Sequence, residues 1–417
     1  MSYLGEFRTN WQTLLATFIG IATGNTLSHY TMSLFAPELI KEFGWTKAEF
    51  ALIGALPMIS LLTVPIAGRF TDKFGTRTAA FVGFGAMSLG FFAYSFMDGN
   101  IIEFFAIWLV QHIVGVLTTS LVFTRAIVAC FNKARGTALS ALMMGAPISG
   151  AVAAPLLGWV IAAEGWRTVF LSLAVVSGIG GIICVAMMGR QRREAAESQV
   201  AAPKLSRTEL LAIVKRPAFL LIIGGMFLIN IPQPFAASQI KLVVLSNGVA
   251  DQTATWMVSL YATGVMIGRV VFGLALDRIS AHKVALFALS LPAIGFVILA
   301  SPLATIWLLA LGILVIGIAQ GAEGDVGGYM VSRHFSIRNY SLIFGFVKAA
   351  LDAGGAIGAL ILSFTLHDTD NYAPFLWISA ATTLIGAVAF FLTGRGRARA
   401  PVEVAVEAEA LKGSPVG

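Results

Sequence analysis

Five ionisable residues stand inside long apolar stretches of this chain: Arg125, Arg269, Glu323, Asp325 and Lys348. At the centre of a bilayer each costs about 2.5–3.5 kcal/mol on insertion scales, so such a residue has a partner or faces a wet cavity. Guanidinium and ammonium groups suit capture of an anion. A carboxylate fits best, because the guanidinium fork binds it at two points. The two acids suit carriage of a proton.

Counting along the helices brings four of the five to one depth. Arg125 lies eight residues before Lys133, Arg269 eight before Asp277, Asp325 eight before Arg333, and Lys348 eight after Tyr340. Eight residues of helix rise about 12 Å, close to the middle of a hydrocarbon core about 30 Å thick. Glu323 and Asp325 are two apart, so a regular helix turns them to different faces. One contacts the cavity while the other pairs elsewhere, unless Gly321, Gly324, Gly327 and Gly328 loosen the helix between them. Lys348 has Asp352 one turn later, the spacing of an ion pair. His29 and His112 add polar groups, and "NIPQPFAASQIK" adds Asn230, Gln233 and Gln239. Pro232 and Pro234 break helical bonding there and free carbonyls that must find partners or line a cavity. Tyr30 and Phe235 wall the site.

The elements that must hold these residues follow from composition. Of 417 residues 12% are charged and 57% hydrophobic, with a mean hydropathy of +0.84. A soluble chain of this length carries far more charge. The pattern is that of an all-α integral membrane protein. "MSYLGEFRTNWQ" lacks the basic start and small-residue cleavage site of a secretory signal, so the first apolar segment stays as a span. Cys130 and Cys184 make no metal-ligand spacing, and free buried thiols are expected, with no metal and no cofactor. There is no phosphate-binding glycine loop with lysine, zinc helix or Ser-His-Asp grouping, which argues against an enzyme, a receptor and a primary pump.

Twelve spans are expected, near 13–37, 49–67, 78–97, 101–131, 137–162, 168–188, 218–245, 253–276, 283–300, 304–331, 341–365 and 373–394. They divide into an N-terminal half (1–189) and a C-terminal half (217–395), each a bundle of six helices. Between them lies a basic linker (190–216), and a short tail (396–417) follows. The net charge of +7 sits in short loops on one side, which places those loops and both termini in the cytoplasm rather than on nucleic acid. A bacterial inner membrane, with lipid around a monomer, is the expected setting.

Two charge clusters punctuate this apolar chain. "GRFTDKFGTR" (68–77) lies between spans 2 and 3 and holds Gly68, Asp72, Lys73, Gly75 and Arg77. "GLALDR" repeats it between spans 8 and 9 with Gly273, Asp277 and Arg278, each 205 residues on from its counterpart, but with Ala281 near the second glycine's place. A six-span unit has been duplicated in parallel orientation.

The doubled motif, the span count and the basic central loop resemble the major facilitator superfamily. The resemblance covers the whole chain. It implies the major facilitator fold, with spans 1, 4, 7 and 10 lining a central cavity and 2, 5, 8 and 11 gating it. It also implies that the charge motif latches the halves in one access state. Within the superfamily, "YTMSLFAPELIKEFGWTKAEF" (30–50), "RGTALSALMMGAPISGAVAAPLLGWVIAAEGWRTVF" (135–170) and "GRVVFGLALDR" (268–278) resemble the monocarboxylate porter and oxalate/formate exchanger branch. There are departures. Val265 stands where animal monocarboxylate carriers have an aspartate, and their span 1 lysine has no counterpart.

The expected function is a secondary transporter that moves a small organic anion by alternating access, coupled to protons as a symporter. Arg269, Arg125, Lys348, His29, Tyr30 and Gln233 would bind substrate, and Glu323 or Asp325 would carry the proton. Exchange of two anions suits the same site. The alternative is a proton-driven efflux pump for apolar or cationic compounds. For that reading Gly136 and Gly145 fit the antiporter signature of span 5, but against it Ser149-Gly150 stands where the signature has Gly-Pro.

Overall fold

The computed structural model describes residues 3–188, 211, 213–302, 305–335 and 337–394. Most of the expected linker and all of the expected tail lie outside the described residues. Among the described residues the helices group into twelve segments at the places of the expected spans. In the first half, span 1 is two helices, Tyr3–Thr23 and Asn25–Phe43. Span 2 comprises Lys47–Ala51, a 3-10 stretch Leu52–Ile59, and Ser60–Phe74. Spans 3, 5 and 6 are Thr76–Tyr94, Arg135–Glu164 and Trp166–Met187, and span 4 is Ile101–Gly115 followed by Ser120–Cys130. In the second half, span 7 is Pro217–Ile229, a π-helical turn Phe235–Gln239, and Ile240–Ser246. Spans 8 to 12 are Asp251–Arg278, Ala281–Ala300, Ile306–His334, Ile337–Thr369 and Ala373–Thr393.

Among the described residues eight helices are long and apolar enough to cross a membrane, and bent span 2 makes a ninth. Spans 1 and 7 are divided, and span 3 has Arg77 in its first turn and contains three glycines. No strand occurs among the described residues, so the backbone is bonded within helices, as lipid requires.

The breaks are where this structure differs from the expected continuous spans. Span 1 breaks at Gly24, and a Cβ there would sit 2.6 Å from the Thr118 hydroxyl. Thr118 lies in the break of span 4, and its Oγ1 accepts the Asn25 N–H at 2.9 Å. The interruption of span 4 thus supplies an acceptor for an N–H at the break of span 1. Span 7 breaks at its two prolines, where Asn230 Nδ2 donates to the Leu351 carbonyl of span 11 at 2.5 Å.

Lipid offers helices little hydrophobic reason to associate, so close packing must hold the bundle. Spans 8 and 10 achieve it with reciprocal glycines. Gly264 and Gly268 lie on the span 10 backbone, and Gly317 and Gly321 lie on that of span 8. In the loop after span 2, Gly75 sits at φ +84°, a conformation open to glycine. The second copy leaves its helix through Ile279 at φ −121°, which any residue adopts, so Ala281 replaces the second glycine without strain.

Apolar packing divides by side. Away from the basic loops one continuous core joins the halves, with Phe35, Phe50 and Phe170 from the first and Phe235, Val258 and Phe375 from the second. Toward the basic loops the core splits in two. One part gathers Phe84, Phe123 and Phe131, the other Phe219, Phe272 and Phe390. The halves are therefore closed on one face and separated on the other. The closed face also carries an ion pair across the seam, Lys47 to Asp370 at 3.0 Å. Beside it the Tyr372 hydroxyl donates to Gln239 Oε1 at 3.0 Å.

Candidate functional site

Span 8 carries Arg269 to the seam between the halves. Its Nη1 donates to the Met143 carbonyl of span 5 at 3.0 Å, and its Nε lies 3.9 Å from Asp325 of span 10. Gly268 and Gly321, packed on each other's helices, bring spans 8 and 10 close enough for that pairing. The buried Nε has no hydrogen-bond partner, so the guanidinium is held by its neighbours yet not satisfied by them. Such an orphan donor costs free energy until something accepts from it.

Lys348 of span 11 meets its expected neighbour, with Nζ 2.6 Å from Asp352 Oδ1. The acid is buried, whereas the Lys348 side chain is 54% exposed, so the cation reaches open space. From the other half, His29 and His112 lie within electrostatic reach of Lys348. Tyr30 lies within such reach of Arg269 and packs its ring 6.4 Å from that of Tyr261. His29 sits edge-on to Tyr30, and His112 stacks on Trp108. Arg269, Lys348, His29, His112 and Tyr30 thus converge from spans 8, 11, 1 and 4.

The span 10 acids part company, as their spacing requires. The helix is unbroken between them despite its glycines. Asp325 faces Arg269, while Glu323, 7% exposed, turns into the C-terminal half, where it accepts from Gln320 Nε2 at 2.7 Å. Gln233 turns the same way. Both line a small cavity whose walls come from spans 7, 9, 10 and 12, all in the C-terminal half.

Arg125 lies elsewhere than in the expected substrate site. It pairs with Asp72 and donates to the Gly68 carbonyl at 3.2 Å, both in the charge motif of span 2. An anionic partner stands within reach on its own side of the seam, and the guanidinium takes it. Lys73 lies over the Phe74 ring at 5.1 Å, and Arg77 is exposed. Asp277 and Arg278, in the second copy of the motif, are exposed, and Gly273 has open space beside it.

Sequence reading overlooked Lys241. It is 0% exposed, near the closed end of span 7, and lies 2.8 Å from Asp251 at the start of span 8. A lysine four residues inside an expected span end is the signal that marks it. At the same face Glu42 accepts from Trp166 Nε1 and from Arg167, each at 2.5 Å.

The comparisons agree with this architecture. The chain is 25% identical to monocarboxylate transporter 4 of Rattus norvegicus over 97% of its own length and 89% of that protein. It is 27% identical to a chloramphenicol resistance protein of Streptomyces lividans, covering 82% of this chain and 92% of that one. With the agnestins efflux protein of Paecilomyces divaricatus it shares 24% identity over 79% and 74% of the two chains. The crystal structure of the nucleoside transporter NupG superposes with a TM-score of 0.73 at 15% identity, covering 92% of this chain and 99% of that one. The sequence model of the Major Facilitator Superfamily matches residues 14–245 and 234–415, and the chain belongs to that superfamily.

Proposed function

We propose that this transporter moves a small organic anion, a carboxylate, by alternating access, and that a proton accompanies it. The observation that carries this reading is Arg269. It stands at the seam, it is fixed by Met143 and Asp325, and it keeps a buried N–H without an acceptor. A carboxylate supplies that acceptor. Lys348 adds a second positive contact, with His29, His112 and Tyr30 across from it. Glu323 carries the proton, because Asp325 is engaged by Arg269 while Glu323 is buried with a neutral amide as its hydrogen-bond partner.

Basic loops favour the cytoplasm. The face where the halves separate is therefore the cytoplasmic one, both termini lie on that side, and this conformation faces inward. Asp72 then pairs with Arg125 of its own half while the inner latch is open. We assign the protein to a bacterial inner membrane, as a monomer.

Kinship with resistance and efflux proteins supports a second reading, export of apolar or cationic compounds. A cation would need an acid free to meet it, and Asp325 is already opposed by Arg269. Uptake into proteoliposomes separates the two. Labelled monocarboxylate accumulating under an inward proton gradient, and ceasing to follow that gradient in Glu323→Gln, supports the first. Transport indifferent to pH in the unaltered protein removes the proton.

A further inference from the structure

The cavity beside Glu323 is not part of the space between the halves. It is lined within the C-terminal half by spans 7, 9, 10 and 12, and its volume of about 30 Å³ has room for about two water molecules. Most of its wall is apolar, including Phe235, Phe296, Leu289 and Ile316. Its polar groups are Gln233, Gln320, Glu323 and Thr383.

These groups are biased toward acceptors. Glu323 presents a carboxylate, only one of whose oxygens takes the Gln320 N–H. Gln233 Oε1 is buried without a hydrogen-bond partner. The Thr383 hydroxyl spends its proton on the carbonyls of Ser379 and Ala380, at 2.8 and 3.0 Å, and keeps its lone pairs. Helix Pro217–Ile229 ends at this point, and Ile229 and Pro232, on either side of its C-cap, line the cavity. The C-terminus of a helix carries partial negative charge. A void with an orphaned amide oxygen, one carboxylate and a negative helix end calls for a small cation.

We infer that this cavity is a sodium site, with Glu323, Gln233 and Thr383 supplying oxygen ligands and Gln320 positioning the carboxylate. Hard cations take oxygen donors, and broken helices are where transporters hold coupling ions. One carboxylate matches one positive charge. Among the described residues no cluster of three or more His, Cys, Asp or Glu exists to hold a metal of higher charge.

The inference rests on the reading of Glu323 as the coupling carboxylate and makes sodium and the proton alternative occupants of it. Other groups facing Glu323 are Tyr261 of span 8 and Lys348 of span 11. Spans 7, 9 and 12 contribute no charged side chain to the cavity lining.

Thermal unfolding of the purified protein tests this, with sodium chloride exchanged for potassium or N-methylglucamine chloride at fixed ionic strength. A ligand bound only by the folded state raises the unfolding temperature with concentration. The expected result is a saturable rise with sodium at pH 8 that potassium does not reproduce and that weakens toward pH 5. It disappears in Glu323→Gln, and Gln233→Leu and Thr383→Val each weaken the apparent affinity about tenfold, one lost ligand's worth. Equal shifts in sodium and potassium overturn the inference, as does a sodium shift that survives Glu323→Gln. Should Glu323→Gln fail to fold, unaltered sodium affinity in both other variants overturns it. Arg269→Ala keeps the sodium shift, so loss of carboxylate uptake without loss of that shift would isolate the anion site from this one.

Discussion

Arg125 binds Asp72, and the pair lies wholly within the N-terminal half. A charge that stands at mid-membrane depth by counting is thus the partner of the loop motif in this conformation. The pair joins span 4 to span 2 on the face where the halves are apart. In this conformation the aspartate of the motif is engaged on its own side of the seam.

That arrangement makes Asp72→Asn and Arg125→Ala conformational variants. Each should slow carboxylate uptake about tenfold or more while leaving substrate affinity within about threefold, the signature of a step other than binding. Uptake kinetics beside equilibrium binding measure both quantities. A loss of affinity in Arg125→Ala that Asp72→Asn does not share would return Arg125 to the substrate site.

The glycine contact between spans 8 and 10 should tolerate no side chain. A Cβ on Gly268 would fall 1.8 Å from the Ile318 carbonyl oxygen, whereas Gly273 has nothing within 4 Å. Gly268→Leu should cost at least the 1–3 kcal/mol of about one overpacked site and lower the yield of folded protein. Gly273→Ala should leave thermal unfolding unchanged. Equal stability of the two variants would mean that the spans can part without penalty.

On the closed face, Lys47 and Asp370 are the ion pair across the seam. Asp370 is largely exposed, so the pair is worth about 0.2–1 kcal/mol and weakens with salt. Asp370→Asn should shift the population toward the outward-facing state by about fivefold at most. Distances between spin labels near residues 49 and 366 would report it. Exchanging the two charges should restore the balance, and a shift that the exchange does not reverse would assign the effect to the loop backbone.

How much of this was legible in the sequence differs by feature. The doubled motif, the number of spans and the stranded charges are local in sequence, and composition exposes them. The different faces of Glu323 and Asp325 also follow from helical period alone. Which face meets which neighbour does not, because rotation of a helix within the bundle is set by packing from other spans. Hence Arg125 had no visible claim on Asp72, and Gln233 could not be assigned to an inner cavity rather than the seam. The paired breaks at Gly24 and Thr118 lie 94 residues apart in sequence and meet only in space. Lys241 was obscured by its nearness to a span end, where lysine is ordinarily in water.

The central claim is that the unsatisfied Nε–H of Arg269 awaits a carboxylate, and equilibrium binding of a monocarboxylate to the purified protein tests it most directly. Arg269→Lys keeps the charge but loses the fork, and should weaken binding about tenfold; Arg269→Ala should weaken it about a hundredfold. Wild-type affinity in Arg269→Ala would contradict the account.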